Sequence, residues 1–220
     1  MKINLDNLKF GRIAVQSDQH AYHNKEFLYC PRGFKNREEN LSKIREDWKL
    51  LKPDDILISL GDFALNADNT DVANLVREIP CRTLFLFGNH PSGIKQMYDE
   101  AVKFQNPQNV LGVRQDIFPI EIEEGKYILG DQFFMVANKR TYFCSHFAPL
   151  IWDKMKYELP ALFGHSHSNC PQLNPEEKDF GKMLDCGVEN AIKHTSRSFF
   201  WLDEIDKIMK SKPVKIYDHH

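Results

Sequence analysis

Apolar residues along this chain gather in short β-rich runs separated by polar stretches. Ile13-Ala14-Val15, Ile56-Leu57-Ile58, Leu84-Phe85-Leu86-Phe87, Phe133-Phe134-Met135-Val136, Tyr142-Phe143-Cys144 and Leu162-Phe163 are each too short for a buried helix and predict strands. Between several of them the period lengthens to that of a helix. Residues 38–51 put Leu41, Ile44, Trp48 and Leu51 on one face, with Glu38 and Glu39 in the first turn and Pro53 beyond the end. Thr70 is positioned to cap a second helix carrying Val72, Leu75, Val76 and Ile79. A third covers about residues 92–104, with Ile94, Met97, Tyr98 and Ala101 as its apolar stripe. The first half therefore alternates strand and helix, as an α/β domain with a largely parallel sheet does. The second half reads as strand-rich over about residues 117–145 and 183–201, with a short helix after Asp203, while 105–112 and 168–181 read as loops.

With 220 residues, 42% of them hydrophobic, the chain is long enough for one sizeable core and short for two, so residues 1–220 are expected to form a single domain. The formal net charge of -2, from 29 basic and 31 acidic residues, argues against long nucleic acid as a partner, although it leaves room for a local basic patch. The N-terminus lacks the apolar stretch and cleavage site of a signal peptide, and no apolar run approaches the roughly 20 residues needed to cross a bilayer. A soluble, cytoplasmic protein is expected. Five cysteines include no C-x-x-C pair; Cys81, Cys144 and Cys186 lie in apolar segments and read as reduced core thiols.

The chemistry lies where the strands end. Ile13-Ala14-Val15-Gln16-Ser17 is followed by Asp18-Gln19-His20, and Ile56-Leu57-Ile58-Ser59-Leu60 by Gly61-Asp62. Leu84-Phe85-Leu86-Phe87 leads into Gly88-Asn89-His90, Tyr142-Phe143-Cys144-Ser145 into His146, and Ala161-Leu162-Phe163 into Gly164-His165-Ser166-His167. Functional groups of an open α/β sheet gather beyond the carboxyl ends of its strands, so Asp18, His20, Asp62, Asn89, His146, His165 and His167 are expected at one edge. Imidazole and oxygen donors without thiolate suit Mn, Fe, Zn or Ni, and seven ligands exceed what one tetrahedral ion needs. Each motif alone is weak, since a single buried His is more often a satisfied core residue; the ordered set is not.

These motifs resemble the series of the calcineurin-like metallophosphoesterases, and the likeness spans about residues 12–190. It extends to Asp18-Gln19-His20-Ala21-Tyr22-His23-Asn24 and Asp185-Cys186-Gly187, as in small stand-alone bacterial and phage-type members. The resemblance implies a four-layer αββα sandwich of two mixed sheets flanked by helices. It implies two divalent ions, Mn foremost, one on Asp18, His20, Asp62 and His167 and the other on Asp62, Asn89, His146 and His165. Asp62 would bridge them, and His90 would face the substrate as general acid or donor. Hydroxide shared by such a pair attacks phosphorus in line, because metal binding lowers the pKa of water towards about 7. His23, Arg32 and Arg37 are the expected substrate-binding residues, an arginine being able to clamp a phosphate oxygen.

The sequence departs from the family at Pro91, where Asp or Glu often follows Gly-Asn-His, and it lacks the Arg-containing extension that protein phosphatases carry after Gly-Asp. Hydrolysis of a small, nucleotide-type phosphodiester is the expected activity. A phosphomonoesterase is the alternative, favoured if Arg32 and Arg37 add positive charge at the site. A non-catalytic interaction scaffold of the same fold is the third reading, and retention of all seven ligands speaks against it.

Overall fold

The computed structural model describes residues 1–105, 119–169 and 181–214, and within them eleven strands form two mixed sheets. The six-stranded sheet runs in the order β11 (Phe200–Trp201), β2 (Ile13–Gln16), β3 (Ile56–Ser59), β4 (Arg82–Phe85), β6 (Lys126–Ile128), β5 (Ile120–Glu123). Its β2, β3, β4 and β6 are parallel, as the alternation of strand and helix demands. The five-stranded sheet runs β1 (Lys2–Asn4), β7 (Gln132–Ala137), β8 (Arg140–Ser145), β9 (Ala161–Phe163), β10 (Met183–Asp185), with β7 and β8 paired antiparallel and the other pairs parallel.

The central strands are buried on both faces, which is why they read as continuous apolar runs. Ile13, Val15, Ile56, Ile58 and Leu84 pack between the sheets with Phe133, Met135, Tyr142, Cys144 and Leu162. Their alternate neighbours Ala14, Leu57 and Phe85 face helices α2 (Arg37–Trp48), α3 (Asn69–Glu78) and α4 (Ser92–Gln105). The other face of the five-stranded sheet is covered, among the described residues, by an irregular segment that inserts Trp152, Met155 and Leu159 against Phe143 and Phe163. The chain is thus an α/β sandwich of two mixed sheets, with helices over one outer face.

Local chemistry corrects two expectations. Asp68, not Thr70, caps α3: its carboxylate accepts from the Asp71 N–H at 2.8 Å, which puts Thr70 inside the first turn. Residues 183–201 are not uniformly strand, because β10 is followed by helix α5 (Val188–Thr195), which buries Val188, Glu189 and Ala191. Helix α6 (Leu202–Ser211) closes the described chain, and α1 (Glu26–Tyr29) is a single turn. Cys81, Cys144 and Cys186 are buried free thiols. The expected loops at 105–112 and 168–181 fall largely outside the described residues. No described helix is long and apolar enough to cross a membrane.

Candidate metal centre

The two sheets are stitched together where the motifs converge. Ser17, past the end of β2, donates its N–H to the Cys186 carbonyl at 2.8 Å and accepts from Val188 at 3.1 Å, forming a parallel bridge to Gly187. Asp18 N–H is bonded to the Gly61 carbonyl, and Gly164 N–H to that of His146. Strand ends from both sheets therefore share one backbone network, and their side chains have little freedom to be elsewhere.

All seven candidate ligands are gathered there. The donor atoms of Asp18, His20 and His167 lie within 4.8 Å of one another, and so do those of Asp62, His146 and His165. Asp62 stands between the groups, its Oδ2 3.5 Å from Nε2 of His20 and 3.5 Å from Nε2 of His146. Asn89 Oδ1 lies 2.9 Å from His146 Nε2 and 2.8 Å from His165 Nδ1.

Five of the seven (Asp18, His20, Asp62, His165 and His167) hold positive φ between 45° and 69°. That left-handed region costs a non-glycine residue about 1 kcal/mol or more, and such strain concentrates at functional sites. Two glycines make room. A Cβ on Gly88 would collide with the Asp62 carboxylate and lie 2.5 Å from its amide nitrogen; one on Gly164 would collide with Ser17 and the Asp18 carboxylate.

Hydrogen bonds fix which atoms face inward. His146 Nδ1–H donates to the Leu60 carbonyl at 2.9 Å, leaving Nε2 towards Asp62 and Asn89. His167 Nδ1–H donates to Glu189 at 2.9 Å, leaving Nε2 towards Asp18. Asp62 Oδ1 accepts from the His90 N–H and Asp18 Oδ2 from the His165 N–H, each at 2.8 Å. Behind them Asp185 holds the loop of His165 and His167, accepting from the Ser166 hydroxyl, the Ser168 N–H and the Gly187 N–H. Such outer partners orient ligating rings and set their tautomers.

The donor chemistry fits cations. Asp18 Oδ1 and His20 Nε2 are buried with no hydrogen-bond partner among the described residues, an arrangement costly unless something positive sits beside them. His146 commits its Nδ1 proton to a carbonyl, so its Nε2 lone pair faces the oxygens of Asn89 and Asp62, an arrangement that a shared cation would satisfy. Burial pushes the Asp18 carboxyl up to about 6 and the His20 imidazole down to about 3. Burial would raise Asp62 as well, but the hydrogen bond and charge of His146, the His90 N–H and His20 hold it at about 2. Burial disfavours charge on His146 and His167, yet Asp62 with Asp18 and Glu189 with Asp18, respectively, raise both above the ordinary imidazole value. The buried Asp and His groups are thus suited to holding metal.

The expected substrate contacts divide. His23 is buried beside the centre, its ring 5.7 Å from that of His20, and its Nδ1 has no partner among the described residues. His90 is exposed, with its ring 5.9 Å from that of His20. Arg32 is a correction. Its side chain is fully buried and makes four hydrogen bonds to protein, from Nε to Glu189 Oε1 at 2.9 Å, from Nη1 to Gln19 O and Asn40 Oδ1, and from Nη2 to Asp18 O, while Nη2 also lies 2.8 Å from Glu189 Oε1 as an ion pair. With its side chain 0% exposed, the guanidinium is turned to protein and props Asp18 and Glu189. Arg37 is exposed at the start of α2 and paired with Glu38 at 2.7 Å, with no contact to the candidate ligands among the described residues. Sequence reasoning missed Glu189, which lay in a segment read as strand, and it noted Asp185 without assigning it a role.

Comparison with known proteins adds the fold. No protein-family model matches the chain, and no curated protein matches it. The structure is similar to the crystal structure of AQ665, a protein of unknown function from Aquifex aeolicus, at 18% identity and a TM-score of 0.59, over 90% of this chain and 98% of that one. The likeness extends across nearly the whole of both chains, so this α/β arrangement is shared at the level of the fold.

Proposed function

We propose that this chain is a metal-dependent phosphoesterase that hydrolyses a small phosphodiester of nucleotide type, on the αββα fold that its motifs imply. The observation that carries the reading is Asp62 standing between the Asp18, His20 and His167 group and the rings of His146 and His165, its Oδ2 3.5 Å from Nε2 of His20 and of His146. Asp18, His20 and His167 would hold one divalent ion and Asn89, His146 and His165 the other, with Asp62 shared. When bound, the ion pair, Mn foremost with Fe, Zn or Ni also matched by the donors, supplies positive charge to phosphate oxygens and a water acidic enough to act near neutral pH.

The chain's own residues do the rest. Glu189 and the Leu60 carbonyl hold His167 and His146 in the tautomer that leaves Nε2 free. His90 is exposed beside His20 while its backbone is pinned by Asp62, which suits it to carry a proton to the departing oxygen. Two features favour a diester over a monoester. Arg32, buried against Glu189, offers no free cation to a dianion, and Arg37 is paired with Glu38. Exposed Phe27 and Phe147 stand at the two groups, Phe27 5.8 Å from His23 and Phe147 4.6 Å from His165, so that each arm of a diester has an apolar ring beside it.

Metal analysis of the native protein, followed by assay with Mn, tests this. Bis-p-nitrophenyl phosphate is expected to be turned over faster than p-nitrophenyl phosphate, and chelation is expected to abolish both activities. His90→Ala is expected to lower kcat by about 10²- to 10⁴-fold on a diester with an alkoxide leaving group, and by less on the nitrophenyl ester, whose leaving group needs no acid. Absence of stoichiometric metal together with no turnover, or wild type no faster than His90→Ala on the alkoxide diester, would overturn the reading.

A further inference from the structure

Positive charge gathers at the opposite end of the five-stranded sheet from the metal centre. The candidate ligands and their support follow the ends of β8, β9 and β10, whereas residues at or before the starts of those strands line a cavity of about 580 Å³. The six-residue β8 separates the two ends by about 17 Å at roughly 3.3 Å per residue. Lys139, Arg140, Lys154, Lys182 and Lys210 line the cavity against one acidic residue, Glu158, in a chain whose formal net charge is -2.

Two of these cations are spent. Arg140 pairs with Asp206 at 2.8 Å, and Lys182 donates to the carbonyls of Met209 and Lys212, with Glu158 3.6 Å away. Lys139, Lys154 and Lys210 are exposed and form no ion pair with any described residue. Asp6, the acid beside the Lys139 turn, has its carboxylate held by the N–H groups of Asn138 and Lys139. Three ammonium groups without an ion pair among the described residues thus line one concavity, and a concave surface concentrates their field.

The ligand chemistry follows from the lining. Flexible ammonium groups bind phosphates as point charges, and several around one cavity call for several phosphates. The ring of Tyr157, 72% exposed on the same wall, offers a face to a base. The volume lies within the range of about 300–1,000 Å³ usual for small-molecule sites. We infer that this cavity binds a nucleoside polyphosphate, its phosphates among Lys139, Lys154 and Lys210 and its base against Tyr157, at a site separate from the metal centre.

Calorimetric titration of the chelator-treated full chain with adenosine triphosphate and with inorganic triphosphate tests this. Wild type is expected to bind both, with affinity falling as salt rises. The triple variant Lys139→Gln/Lys154→Gln/Lys210→Gln is expected to weaken both by about 30-fold, at about threefold per exposed charge, with an unchanged melting temperature. Tyr157→Ala is expected to weaken the nucleotide about fivefold or more and leave triphosphate unaffected. His165→Ala is expected to change neither. Failure of either anion to bind saturably, an unaltered triple variant, or binding lost in His165→Ala would each overturn the site. Equal affinity for the two anions, unchanged by Tyr157→Ala, would overturn the nucleotide assignment.

Discussion

Replacing Arg32 by alanine removes a guanidinium whose four hydrogen bonds and ion pair tie together three parts of the chain: the Asp18-Gln19 backbone, Asn40 on α2 and Glu189 on α5. Glu189 is then left as a buried carboxylate with His167 as its remaining ion-pair partner among the described residues. Removing one partner of a buried ion pair costs about 3–5 kcal/mol, because the remaining charge stays desolvated. In a chain of this length, about 2–4 °C per kcal/mol translates that loss into a melting temperature lower by about 6–20 °C. The measurement is thermal and urea unfolding of chelator-treated protein, with Arg37→Ala, an exposed site expected to shift stability by no more than about 0.5 kcal/mol, as control. The double variant Arg32→Ala/Glu189→Gln is expected to lose less than the sum of the single losses, because the second change removes the orphaned charge. An Arg32→Ala protein that melts within about 2 °C of wild type while binding phosphate esters more weakly would refute the argument and return Arg32 to the substrate.

Other consequences are equally direct. Glu189→Gln loosens the hold on His167 and is expected to weaken metal affinity about 10- to 100-fold, read by competition with a chromogenic chelator. Gly164→Ala drives a methyl into Ser17 and the Asp18 carboxylate; it is expected to cost about 1–3 kcal/mol and to reduce bound metal, measured by unfolding and by metal analysis. Burial and the Asp206 carboxylate, to which its hydroxyl donates, raise the Tyr142 phenol well above its ordinary value. A raised folded pKa contributes nothing to the pH slope below the unfolded value of about 10, and stability declines as pH rises above it. Unfolding measured from pH 8 to 12 is therefore expected to show a steeper alkaline loss in wild type than in Tyr142→Phe.

The central strands, the three long helices of the first half and the placing of the seven candidate ligands after strand ends were legible in the chain, because period and strand ends are local properties, whereas β1 and the single turn of α1 were not. Continuous apolar runs marked strands buried on both faces, and polar residues directly after them marked one edge of the sheets. Helix α5 was not legible: its apolar residues are few and sit between short β-like runs. The Thr70 expectation failed because Asp68, two residues earlier, offers an equally good oxygen to the first turn.

What the sequence by itself determined is thus the inventory: an α/β chain whose imidazole and carboxylate donors follow its strands. Only the tertiary structure decided which partners they find. Arg32 and Glu189 are 157 residues apart, and nothing local tells an arginine that will clamp a ligand from one buried against a carboxylate of its own chain. The same holds for the assembly of donors into two groups about Asp62, and for lysines from four segments that surround one cavity. Hydrogen bonds and ion pairs act over a few ångströms in space, whatever the distance along the chain, so these pairings became definite only once the two sheets had packed together.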